Sequence, residues 1–139
     1  MSLGHVSAAG PKRGARAALL AAAIAASSPG WAADELSSGF TGRWYAQGDC
    51  SDGNKVPGAV VIVSPSALQG HGFACTFSKI EEAAEGDGKR ADLHRICATP
   101  DKTTEAEVRL YLVPSQVFGE ALVTVNQDGS FLTLYKRCP

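Results

Sequence analysis

From Gly42 onward the apolar residues recur at every second position more often than at helical spacing. The clearest run is "TEAEVRLYLV" at 104–113. It sets Ala106, Val108, Leu110 and Leu112 on one face and Glu105, Glu107, Arg109 and Tyr111 on the other, the pattern of a strand with one wet face. "EALVTVNQDGSFLTLYKRC" gives two further runs, 120–125 and 130–138, around a turn in which Asp128-Gly129 supplies the positive-φ position that a hairpin needs. "GAVVIVSP" at 58–65 is a short β-branched stretch between Gly58 and Pro65, and it predicts a more buried strand over 59–64. "GRWYAQGDC" opens the series with a strand over 43–49. "FACTFSKI" and "ADLHRIC" supply strands at 73–79 and 91–97, paired around the loop "EEAAEGDGKR", and "IEEAAE" at 80–85 is long enough for a single helical turn. Prolines and glycines at 57, 65, 70, 72, 100 and 114 punctuate these runs at strand length. Seven strands with mostly short connections predict an all-β antiparallel meander. Closing it hides the sheet edges, so the expected fold is a small up-and-down β-barrel or a tightly rolled sandwich.

The preceding residues follow a different rule. Lys12, Arg13 and Arg16 form a positive region, "AALLAAAIAA" at 17–26 an apolar run, and "SSPGWAA" a small-residue exit, the three parts of a secretory signal peptide. Ten apolar residues fall short of the roughly 20 needed to cross a bilayer, so no membrane anchor is expected. Cleavage after Ala32 puts Gly30 and Ala32 at the two small-residue positions, whereas cleavage after Ala33 would put Trp31 at the outer one. The expected organisation is a signal peptide at 1–32, a flexible segment at 33–41 and a barrel domain at 42–139, in the periplasm or outside the cell. Removing the leader takes away three basic and no acidic residues, leaving ten Lys/Arg against 14 Asp/Glu. A mildly acidic monomer with no basic cluster has little to offer nucleic acid. Lys89-Arg90 and Lys136-Arg137 are isolated pairs and read as solvated strand ends.

Cys50, Cys75, Cys97 and Cys138 are an even set in a chain expected to be exported, and two disulfides follow. The gaps between them hold no C-x-x-C pair, and neither His71 nor His94 completes a zinc-ligand spacing, so no metal or cofactor is expected. If Ile80 faces Asp92 in the hairpin, partner numbers sum to 172, as do Cys75 and Cys97. That register favours Cys75–Cys97 with Cys50–Cys138. In a seven-strand meander the first and last strands run the same way, which also brings Cys50 and Cys138 to one end. Cys50–Cys75 with Cys97–Cys138 remains the alternative.

The Gly-x-Trp of "GRWY" suits a chain that turns in at Gly42 while Trp44 plugs the barrel as core; Tyr45 then faces outward. "GRWY", a cysteine closing the first strand, "DGSFLTL" and a final "RC" resemble small secreted α-proteobacterial β-barrel proteins of unassigned function. More loosely, the layout is similar to periplasmic protease-inhibitor and lysozyme-inhibitor barrels. The protease-inhibitor likeness implies a Cys50–Cys75 pair and an N-terminal trunk, "ADELSSGF" at 33–40, that enters the enzyme. The Ser- and Tyr-bearing loop of the lysozyme inhibitors has no counterpart in this sequence.

Catalytic patterns are not evident. His71 lies between glycines, His94 reads as a surface strand residue, and no G-x-S-x-G elbow, calcium ladder or phosphate-cradling glycine loop is present. Binding is better served. In "VPSQVFGEAL" at 113–122, Val117 and Phe118 stand among polar residues, where Phe118 either caps the barrel or joins Val117 in meeting a partner; "SPSALQGHGF" at 64–73, with His71, is a second candidate loop. The expected function is a non-enzymatic secreted or periplasmic binding protein with a protein partner in the cell envelope, for instance as an inhibitor of a protease or other envelope hydrolase. The alternatives are a lipocalin-like carrier of a small apolar ligand and a structural envelope protein without a discrete site. An exposed, ordered apolar loop favours the first, a hollow interior the second and a uniformly polar surface the third.

Overall fold

The structure, a computed structural model, describes residues 30–51 and 55–139; the expected leader lies outside the described residues except for Gly30, Trp31 and Ala32. Nine strands follow in order: β1 Trp31–Ala33, β2 Gly42–Tyr45, β3 Val60–Ser64, β4 Ala67–Gly70, β5 Phe73–Glu85, β6 Gly88–Ala98, β7 Thr103–Ser115, β8 Gly119–Asn126 and β9 Leu132–Arg137. From β2 to β9 each strand pairs antiparallel with the next, and β9 closes on β2 through Trp44↔Arg137 and Tyr45↔Lys136. The result is a closed eight-stranded up-and-down barrel, with β1 added alongside β5. Eight strands enclose a space that side chains can fill, with room left for at most one small ligand.

The extra barrel strand is β4, four residues inside the stretch read as the loop 64–73. Its Leu68 is buried, and the strand reverses from β3 through Pro65-Ser66, with Ser64 opposite Ala67. The β3 strand alternates rather than being buried throughout: Val61 and Val63 point in, while Ile62 is half exposed outside. The β7 alternation stands as read, with Val108, Leu110 and Leu112 in the core. The β8–β9 hairpin also stands, with Gly129 at φ 75° donating its N–H to the Asn126 carbonyl.

The β5–β6 hairpin is longer than predicted. "IEEAAE" forms no helical turn; strand pairing runs to Glu85↔Gly88 across a two-residue turn. Cys75 does face Cys97, but the register shifts between Ser78 and Glu81, so that Asp92 faces Glu81 and not Ile80. The cause is a bulge at Lys79, whose φ is +51°. One extra residue reverses the parity of the strand. Cys75 and Phe77 point inward before the bulge and Ile80 points inward after it, which keeps all three in the core.

The two disulfides are Cys50–Cys138 and Cys75–Cys97, with Cα separations of 5.7 and 3.9 Å. The first forms for a reason other than strand parity. With eight strands, β2 and β9 run in opposite directions, and Cys138 lies beside the start of β2, donating its N–H to the Arg43 carbonyl. Cys50 meets it because the chain bends back after Tyr45, through Gly48 at φ 67°. Two disulfides point to an oxidising location, extracellular or periplasmic.

Candidate functional site

The two ends of the barrel differ, and the difference begins with Arg137. Its guanidinium donates to Glu120 Oε1 from Nη2 (2.6 Å) and Nε (3.0 Å), to the Gly39 carbonyl from Nη2 (2.7 Å) and to the Thr41 carbonyl from Nη1 (2.9 Å). It also lies 4.0 Å from the centroid of the Trp44 ring. Arg137 is thus no solvated strand end but the bolt of the closed end. Trp44 is fully buried and donates Nε1–H to the Phe40 carbonyl at 3.1 Å. Gly42 makes this possible: its φ is +131°, and a Cβ there would stand 2.8 Å from Arg137 Nη1.

The segment 33–41, expected to be flexible, is fastened to the same end. Leu36 and Phe40 are buried, Leu36 N–H donates to the Pro65 carbonyl, and Ser37 N–H donates to Glu82 Oε1 at 2.6 Å. These apolar side chains, and not Phe118, cap the barrel.

Phe118 lies outside, in the β7–β8 turn. Ser115 Oγ accepts the N–H groups of Val117 and Phe118, fixing the turn, and Lys136 Nζ lies 4.4 Å from the Phe118 ring centroid. Val117 remains 81% exposed and Phe118 43% exposed. The turn tops an apolar outer wall. By register, Val113 faces Ala121 and Ala121 faces Lys136; Tyr111 faces Val123 and Val123 faces Leu134; Val125 faces Leu132. Leu132, Leu134 and Val113 are all exposed. Sequence reading found the turn but not the wall, whose signal is the apolar residue at every position of "ALV" and "FLTLY" except the threonine.

His71 belongs to neither feature. It sits exposed in the β4–β5 turn, at the open end of the barrel, beside a shallow outer depression of about 260 Å³ with Arg43, Ile62 and Gln69. The barrel therefore separates His71 from Val117 and Phe118. His94 faces outward between Glu107 Oε1 (2.7 Å from Nδ1) and Glu105 Oε2 (3.4 Å from Nε2). Among the described residues no group of three or more His, Cys, Asp or Glu is arranged to hold a metal ion.

The open end is a cavity of about 290 Å³, walled by Leu68, Phe73, Phe131, Tyr135 and the Cys75–Cys97 bridge. Arg95 enters it from β6, continuing the inward alternation of Ala91 and Leu93. Burial holds its guanidinium below the ordinary arginine pKa, opposed by attraction to Tyr135, while burial raises the Tyr135 hydroxyl above the ordinary tyrosine value. Comparison with protein-family models, with curated proteins and with solved structures finds no match to this chain.

Proposed function

We propose that this is an exported, non-enzymatic protein-binding module of the cell envelope that meets its partner with the β7–β8 turn and the wall beneath it. The observation that carries the reading is Val117, a large apolar side chain held 81% exposed on a turn ordered by Ser115. An ordered apolar turn costs little entropy to dock, and an aromatic beside it is the usual kind of anchor. Side chains from Trp44 through Leu110 and Leu122 fill the interior and leave only the chamber of about 290 Å³ at the open end, so a carrier of a lipid-sized cargo is less well supported than one of a small ligand.

An inhibitor acting through this turn fits the same geometry. A trunk mechanism fits less well, because Leu36 and Phe40 are buried and Cys50 is bonded to Cys138 rather than to Cys75. The mature chain in this reading begins at Ala33, after export directed by residues 1–32, so it keeps the eight barrel strands β2–β9 and only Ala33 of β1. Affinity capture from the envelope fraction of the host, with wild type against Val117→Asp/Phe118→Asp, tests the proposal. Specific capture should disappear in the double variant while its thermal unfolding stays unchanged; equal capture by both would overturn the assignment of the turn.

A further inference from the structure

Arg95 differs from its neighbours in what it faces. Arg90 meets Glu85 and Asp92, Arg109 meets Asp92, and Arg137 meets Glu120. Arg95 has no carboxylate within ion-pair distance among the described residues, and its solvent-shielded Nε has no hydrogen-bond partner there. A half-buried cation without a counter-charge is imperfectly solvated, and a guanidinium fork is shaped for a carboxylate. The rest of the chamber is of the opposite character: aromatic rings, a leucine and a disulfide, with the hydroxyls of Thr99, Thr104 and Thr124 among its polar groups.

We propose that the open end of the barrel binds a small monocarboxylate with a short apolar chain or a single ring, the carboxylate on Arg95 and the hydrocarbon against Phe73, Phe131 and Tyr135. Three features narrow the ligand. A volume of about 290 Å³ is at the lower end of ligand pockets, which excludes a whole lipid. One guanidinium balances one negative charge, so a phosphate dianion would remain half uncompensated. The apolar walls reward a hydrocarbon body over a purely polar acid. This site is at the opposite end of the barrel from Val117 and does not depend on the protein-binding reading.

The test is titration calorimetry with amide shift mapping on the oxidised protein, using octanoate and phenylacetate, each against its uncharged primary amide. The acids should bind with shifts confined to Phe73, Arg95, Thr104, Thr124 and their neighbours. Arg95→Met should weaken the acids about tenfold or more while leaving the amides within about twofold, since a charge-assisted pair is lost but the walls remain. Arg95→Lys should fall between. The proposal is overturned if neither acid binds at millimolar concentration, if Arg95→Met binds the acids as wild type does, or if the shifts map to the outer wall. Thermal unfolding of Arg95→Met at or above the wild-type midpoint confirms that any loss of binding is local.

Discussion

Replacing Arg137 by methionine tests how the closed end is held. Methionine keeps much of the stem, but it removes the guanidinium that lies over the Trp44 ring, together with two donors to Glu120 and the donors to the Gly39 and Thr41 carbonyls. Hydrogen bonds to a charged group contribute about 1.5–3 kcal/mol each when shielded. The side chains of Arg137 and Glu120 are 33% and 38% exposed, however, so their ion pair is partly screened and is worth only about 1 kcal/mol. The two carbonyls, lying beneath the guanidinium, account for most of the rest. The expected loss is about 2–3 kcal/mol, a fall in Tm on the order of 10 °C for a domain of this size. Arg137→Lys should recover less than half, because an ammonium cannot span Glu120 and both carbonyls as the fork does. The assay is urea unfolding of the oxidised protein beginning at Ala33, in which Trp44 is the only tryptophan and reports on this end directly. A loss below about 0.5 kcal/mol, or full rescue by lysine, would refute the bolt.

Three further outcomes follow from the same geometry. Cys138→Ser opens a bridge spanning 88 residues and should cost about 4–5 kcal/mol in the chain-entropy view, read as a lower denaturation midpoint; native-like stability would contradict it. Arg95→Met removes a shielded charge that lacks a carboxylate partner and should raise stability by about 1 kcal/mol, so a clear loss by calorimetry would show that Arg95 is paired in solution. Because burial raises the Tyr135 pKa in the folded state, the folded chain binds more protons than the unfolded chain above the ordinary tyrosine pKa. Stability should therefore fall as pH rises past about 10, and Tyr135→Phe should flatten that part of the profile.

Much of the fold could be read from side-chain alternation, because a barrel wall with one face in the core imposes a period of two. That rule located β7 and the β8–β9 hairpin, while the Gly-x-Trp of "GRWY" placed Trp44 in the core. It failed where the period is interrupted or too short to register. The Lys79 bulge shifts the pairing by one residue, so the Ile80–Asp92 anchor was one residue off although the Cys75–Cys97 pair derived from it is correct. At four residues between a proline and a glycine, β4 resembles a loop; overlooking it changed the strand count from eight to seven, and the parity argument for Cys50–Cys138 gave the right pair on the wrong grounds.

The sites were less legible than the fold. Val117 and Phe118 stand out in sequence because apolar residues in a polar turn lack a core reason to be there. Arg95 and Arg137 do not stand out, since a basic residue on an alternating strand reads as solvated until the inward face is known. Only the closed barrel shows that one bolts an end and the other lines a chamber. His71, read as part of a second candidate loop, lies in the β4–β5 turn at the opposite end of the barrel from Val117 and Phe118.

The most direct test of the central claim is photo-cross-linking in the host envelope with a benzophenone amino acid at Val117, compared with the same probe at His71. The account predicts a discrete protein adduct from position 117 and none from position 71. An adduct from position 71 alone, or none from position 117, would contradict it.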